Sequence, residues 1–371
     1  MKLIAQVKLQ PTPEQAELLK HTLERVNGAA NFVSDTAWHQ QSFRQYDLHK
    51  LAYYPVRENF GLSAQVAVRL IAKVADAYKL DKKTKRTFRP HGSIAYDGRI
   101  LTWKMSKRIV SLWVLGGRIE LPFVAGARQY ELLETRQGEA DLVYRDGQFY
   151  IFQTCDVDAP EPSDIDSFLG VDLGVANIAA DSDGVVFQGK TVKNVRYRHR
   201  QLRTKLQRKG TKSTRRRLKK LGGKEQKFAT WTNHNISKRI VAKAKDTGRG
   251  IALEDLGGIR DRITARKPQR ATLHSWSFAQ LRRFIEYKAK LNGVSVVAVD
   301  PRNTSRTCPA CGCVDQANRK SQAAFLCTQC GFSGLADYIA AGNIARRAAV
   351  NPPNVSTAQS TVQRQGQSPR L

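Results

Sequence analysis

The chain has 371 residues, enough for two or three domains with real cores, and its 41% hydrophobic and 25% charged residues are those of a folded protein rather than a disordered one. Sixty-two Lys and Arg against 32 Asp and Glu leave a formal charge of +30, far beyond what solubility requires, so a polyanion is the first partner to expect. No run of about 20 apolar residues offers a membrane span, no lipidation motif offers an anchor, and the opening MKLIAQVKLQ lacks an export signal. A soluble, cytoplasmic protein with no membrane partner is therefore expected.

Leu3 to Leu9 alternate as a strand does. Thr12, Pro13 and Gln15 then form a capping box that opens a helix, with Leu18, Leu19, Leu23, Val26, Ala30 and Val33 at helical spacing. A second helix starts near Ser63, carrying Val66, Leu70, Ile71, Val74 and Tyr78 on one face, and core packing is the default duty of both stripes. After Lys79 the period becomes alternating, and three turn pairs predict three hairpins: Asp97-Gly98, Gly116-Gly117 and Asp146-Gly147. Together with the first strand they suggest a small barrel interrupted by a helical insert over about 11–80, although a twisted open sheet produces the same pattern.

The acidic, Pro-rich APEPSDID (159–166) marks a domain boundary. Beyond it, FLGVDLG, ANIAADSDG, RGIALEDLGG and VSVVAVD read as strands alternating with helices, an α/β domain over 161–350. Residues 351–371 are polar, aperiodic and expected to be disordered. Between the strands, Lys190 to Lys224 hold sixteen Lys or Arg and no acidic residue, more than half of the formal excess. Such a run is often only a solvated linker or a membrane-surface helix. Here nucleic acid is favoured.

Five of six cysteines fall between Cys308 and Cys330. Cys308-x2-Cys311, fifteen residues, then Cys327-x2-Cys330 is the spacing at which four thiolates close on a structural Zn²⁺ within a ribbon at about 303–335. Cys313 is read as a bystander and Cys155, in an apolar strand, as a packed thiol. Because four ligands leave zinc no open position, chemistry must come from elsewhere. Asp172 and Glu254 interrupt apolar strands and Asp337 starts a helix; for any one alone, an edge-strand charge or an N-cap explains it equally well. Taken together, clustered carboxylates favour Mg²⁺ or Mn²⁺, and two such ions suit phosphodiester hydrolysis. Asp181, Asp183 and Asp300 fit turns, and Asp255 should point to the face opposite Glu254.

GVDLGVANIAADSDG, IALEDL, SWSF…YKAKLNGVSVVAVDPRNTSRTCPACG and FLCTQCGFSGLADYIAAGNIA resemble the RuvC-like nuclease and zinc-ribbon segments of the TnpB family, transposon-encoded RNA-guided DNA endonucleases related to single-effector type V CRISPR nucleases. The resemblance covers roughly residues 168–347 and rests only on element order over the first 160. It implies an RNase H-like (RuvC) domain with an inserted zinc ribbon, preceded by a wedge-type, OB-like β-barrel over 1–160 whose helical insert serves recognition. It also implies Asp172, Glu254 and Asp337 as ligands of the catalytic metals, a guide RNA, and double-stranded target DNA cut beside a short flanking motif. Two positions depart from the usual pattern: Ile339 where Asn is common, and Ser305-Arg306 where serine-glutamine is.

The basic stretch agrees with this electrostatically. Arg196, Arg198, Arg200, Arg203, Lys205, Arg208, Arg215, Arg216 and Arg217 suit phosphates, and Tyr197 and Trp231 suit stacking on bases, with core packing the slightly favoured alternative for Trp231. A nuclease-inactive guided repressor would have lost a carboxylate, and all three are present. A strand-joining transposase is the further alternative, against which the ribbon's place between the last two acids argues.

Overall fold

The computed structural model describes residues 1–162, 165–174, 176–255 and 278–350; the expected disordered tail and Ser275 to Ser277 lie outside these. The chain divides into two compact units, Met1–Asp158 and Ala159–Leu371.

In the first unit, strand β1 (Lys2–Leu9) buries Ala5, Val7 and Leu9 on one face, as its alternation predicts. Helix α1 (Pro13–His39) opens on the expected capping box: Thr12 Oγ1 accepts from Gln15 N and Gln15 Oε1 from Thr12 N. Helices α2 (Gln45–Phe60) and α3 (Ala64–Leu80) complete the insert, with Gly61 at φ +62° ending α2. Seven strands follow one another in the order β2-β6-β7-β1-β5-β4-β3. These are β2 (Ile94–Tyr96), β3 (Leu101–Lys104), β4 (Ile109–Val114), β5 (Gly117–Val124), β6 (Arg136–Arg145) and β7 (Gln148–Asp156) beside β1. Helix α4 (Ala127–Glu134) links β5 to β6.

Two of the three expected hairpins form, β4–β5 across Gly116-Gly117 and β6–β7 across Asp146-Gly147, with all four turn residues at positive φ. The third does not. β2 pairs with β6 and β3 with β4, so Asp97-Gly98 links the two ends of the strand order rather than closing a hairpin. Gly98 lacks the positive φ of a two-residue hairpin turn, and the amides of Ile100 and Leu101 both bond back to Asp97 O. The result is a nearly closed sheet.

The second unit is built on strands β8 (Phe168–Asp172), β9 (Asn177–Asp181), β10 (Val186–Gln188), β11 (Gly250–Glu254) and β12 (Val296–Val299), in the order β10-β9-β8-β11-β12. β8, β11 and β12 are parallel, and β9 and β10 run antiparallel to their neighbours. A long hairpin of α5 (Lys190–Lys209) and α6 (Lys212–Asp246) precedes β11; α7 (Phe278–Leu291) precedes β12. Leu169, Val171, Ile251 and Leu253 pack against α6 and α7. On the opposite face Phe168, Ala252, Val297 and Val299 meet Ile344 and Ala348 of α8 (Ala336–Val350). Both faces of the parallel strands are thus covered, which explains their near-continuous apolar sequence. Among the described residues no helix is long and apolar enough to cross a membrane.

Candidate active site and zinc ribbon

The period of two that puts Leu169 and Val171 on the α6–α7 face puts Gly170 and Asp172 on the α8 face, and in β11 it does the same for Ala252 and Glu254. Asp172 and Glu254 end adjacent parallel strands in the register Val171 opposite Leu253, so their carboxylates leave the sheet side by side. Asp337 stands in the first turn of α8. That helix lies so close to β8 that a Cβ on Gly170 would sit 1.9 Å from Ala341 O and 2.7 Å from Ala345 N, a contact only glycine permits.

Burial, then the charges of Glu254 and Asp337, push the Asp172 carboxyl up to about 7. Burial likewise raises Glu254, opposed by a hydrogen bond from Thr304 Oγ1 and by the charges of Arg347 and Arg319. Asn177 Nδ2 donates to Asp337 Oδ2 at 2.8 Å, and Arg319 Nη2 lies 3.4 Å from Asp337 Oδ1 while also donating to Gln322 O. Sequence reasoning singled out none of Thr304, Asn177 and Arg319. Their partners lie 50, 160 and 18 residues away, and no local pattern marks such contacts. The other acids occupy the places expected of them. Asp255 pairs with Arg282 of α7, Asp300 accepts from Arg302 N, and Asp181 accepts from the amides of Asp183 and Val185. Asp181 is also 1% exposed and paired with Lys243 at 2.7 Å, so it anchors α6 as well as its turn.

In the ribbon, strands β13 (Ala324–Leu326) and β14 (Ser333–Leu335) form a short hairpin. The two Cys-x2-Cys knuckles share one hydrogen-bond pattern: Cys308 N to Cys313 O and Gly312 N to Cys308 O in the first, Cys327 N to Phe332 O and Gly331 N to Cys327 O in the second. Gly312 and Gly331 adopt φ +76° and +73°. The four sulfurs lie within 4.8 Å of one another, with Cys308–Cys330 at 3.6 Å and Cys311–Cys327 at 3.5 Å, and none is in a disulfide. A tetrahedral Zn–S bond of about 2.3 Å sets sulfurs about 3.8 Å apart, so the cage fits zinc. The Cys330 amide facing its sulfur lowers the Cys327 thiol to about 6. Cys313 stays outside the cage and Cys155 is fully buried.

Of the nine basic residues singled out on α5 and α6, Arg198, Arg200, Lys205, Arg208, Arg215, Arg216 and Arg217 are exposed. Arg203 is turned to Glu225, one residue past the acid-free run, and half-buried Arg196 feels the same charge. Tyr197 and Trp231 are 58% and 64% exposed. Core packing is thereby excluded for Trp231, which among the described residues stacks on the partly buried Phe228.

Residues 152–256 match the OrfB_IS605 family, described as "Probable transposase", and residues 278–344 match the Cas12f1-like TNB domain. A CRISPR-associated endodeoxyribonuclease Cas12f1 of Sulfoacidibacillus thermotolerans is 42% identical over 129 residues, 34% of this chain and 29% of that protein. A TnpB-like protein of Methanocaldococcus jannaschii is 34% identical over 131 residues, 35% of this chain and 46% of its own. The matched segments therefore span less than half of these curated relatives. The fold is that of a Cas12f1 solved as an sgRNA–target DNA complex, with a TM-score of 0.67 at 16% identity, covering 90% of this chain and 83% of that one. The mini-RNA-guided endonuclease CRISPR-Cas_phi3 aligns with a TM-score of 0.59 at 12% identity, over 95% and 93% of the two chains.

Proposed function

We propose that this chain, which belongs to the TnpB family, is an RNA-guided endonuclease that hydrolyses double-stranded DNA beside a short flanking motif, using divalent cations held by Asp172, Glu254 and Asp337. One observation carries the reading. Counted within the second unit, the strands run 3-2-1-4-5, and two carboxylates at the ends of adjacent parallel strands meet a third from the helix laid across them. That arrangement supports an RNase H-like, RuvC-type nuclease domain over 161–350 that carries the zinc ribbon.

The donor set fits Mg²⁺ or Mn²⁺: hard oxygens, partly desolvated, three carboxyl groups beside the two guanidinium charges of Arg319 and Arg347. Among the described residues the four cysteines are the group of potential ligands packed within 4.8 Å, so the three carboxylates are spread wider than a one-ion cage. Two ions about 3.5–4 Å apart would activate a water and stabilise the leaving oxygen. The chain's own residues then have separate duties. Asn177 orients Asp337, Arg319 stands beside the acids where a phosphate's charge would be met, and the covered sheet keeps the carboxylates in place. Outside the site, the exposed arginines of α5 and α6 would hold phosphates, and base pairing with the guide would supply specificity.

The test is purification of the chain from cells expressing its native locus, sequencing of the RNA that accompanies it, and a Mg²⁺-dependent cleavage assay with matching DNA. Cleavage lost in Asp172→Ala, with RNA and DNA binding kept, is the expected result. Cleavage that survives the change, or RNA of random origin, contradicts the proposal.

A further inference from the structure

Thr304 lies in the loop between β12 and the first zinc knuckle, four residues before Cys308, and is 2% exposed. Its hydroxyl faces two oxygens, Glu254 Oε1 at 2.5 Å and Pro301 O at 3.1 Å. A hydroxyl has one proton to give, and the nearer, more basic acceptor is the carboxylate. The main chain at this point is held with equal care. Asn343 of α8, itself 5% exposed, donates through Nδ2 to both Thr304 O and Thr307 O at 2.8 Å. The helix that delivers Asp337 therefore also fixes the backbone that aims Thr304 at Glu254.

We propose that Thr304 is a positioning residue for Glu254: its hydroxyl occupies one carboxylate oxygen and so presents the other to the divalent cation. This rests on the reading of Glu254 as a cation ligand. Packing alone does not call for a hydroxyl here, because valine has the same shape and would spare the loss of a buried polar group's hydration. The bonded pair is what makes threonine the fitting residue, since a buried carboxylate oxygen left without its donor is costly.

The experiment titrates Mn²⁺ into the full-length protein without nucleic acid, following the ion by electron paramagnetic resonance and zinc content by a chromophoric chelator. Thr304→Val should weaken Mn²⁺ binding about tenfold, whereas Thr304→Ser, which keeps the donor, should stay within about threefold of the parent, each retaining zinc. Glu254→Gln is the control for the underlying reading and should weaken binding further. Parent-like binding in Thr304→Val beside weakened binding in Glu254→Gln overturns the proposal alone; parent-like binding in Glu254→Gln overturns the ligand reading and the proposal with it. Should Thr304→Val fail to fold, Thr304→Ser against Thr304→Ala decides the matter, because that pair differs only in the hydroxyl. Equal affinities in the two would refute it.

Discussion

Asp172→Asn should stabilise the protein in buffer depleted of added divalent cations, and should do so only above mildly acidic pH. Folding lifts the Asp172 carboxyl from its ordinary 3.8 to about 7, chiefly by burial and then by the charges of Glu254 and Asp337. Between those values the folded chain binds more protons than the unfolded one, so stability falls as pH rises through this window and is flat above it. The full penalty is about 4 kcal/mol, and the partial exposure of Asp172 trims it to about 2–4 kcal/mol at pH 8. The amide carries no charge and escapes this cost. Melting temperatures of parent and variant, read calorimetrically at pH 4.5 and pH 8, should differ by no more than about 2–4 °C at the first, where at most about 1 kcal/mol of the penalty has developed. At the second they should differ by several degrees, since about 2–4 °C accompany each kcal/mol in a unit of this size. Mn²⁺ should raise the parent's melting temperature at pH 8 far more than the variant's. A variant no more stable than the parent at pH 8, relative to pH 4.5, would refute the argument from desolvation and crowded charge.

Gly170→Ala places a methyl group against the backbone of α8 and should cost more than about 3 kcal/mol, or displace the helix and with it Asp337; chemical denaturation together with Mn²⁺ affinity distinguishes the two. Lys243→Met leaves the buried Asp181 carboxylate without its cation and should cost about 3 kcal/mol at pH 7, read by chemical denaturation. Trp231→Ala removes an exposed ring and should leave stability within about 0.5 kcal/mol. It should still weaken binding of single-stranded nucleic acid by about 1–3 kcal/mol if a base stacks there, which fluorescence anisotropy would measure.

What could be read without coordinates follows a physical line. Asp172 and Glu254 stand out in sequence because a charge inside an apolar strand is expensive, and the strand period alone assigns each to the face it takes. The ribbon is legible because zinc dictates its own ligand spacing. Asp97-Gly98 misleads because the pair permits a hairpin turn without requiring one, and β2, three residues long, takes its partner from β6. Helix α2 is hard to read because it carries Pro55 and leaves Tyr46, Leu51 and Tyr54 exposed, which blurs its apolar stripe. Trp231 misleads in the opposite sense, since an aromatic on a helix usually faces inward. Thr304, Asn177 and Arg319 owe their positions to packing between distant segments, and single-chain periodicity is silent about it.

The placement of Asp337 on α8 has a consequence for the birth of the protein. Ribosomes add about 5–20 residues per second, so the 165 positions separating Asp172 from Asp337 correspond to roughly 8–33 seconds of translation. Once α6 is complete at Asp246, the nascent polypeptide displays its arginine-rich helices yet lacks a complete set of acids for the 91 positions that remain before Asp337. An emerging chain is thus able to capture its polyanion before it is armed to cut anything.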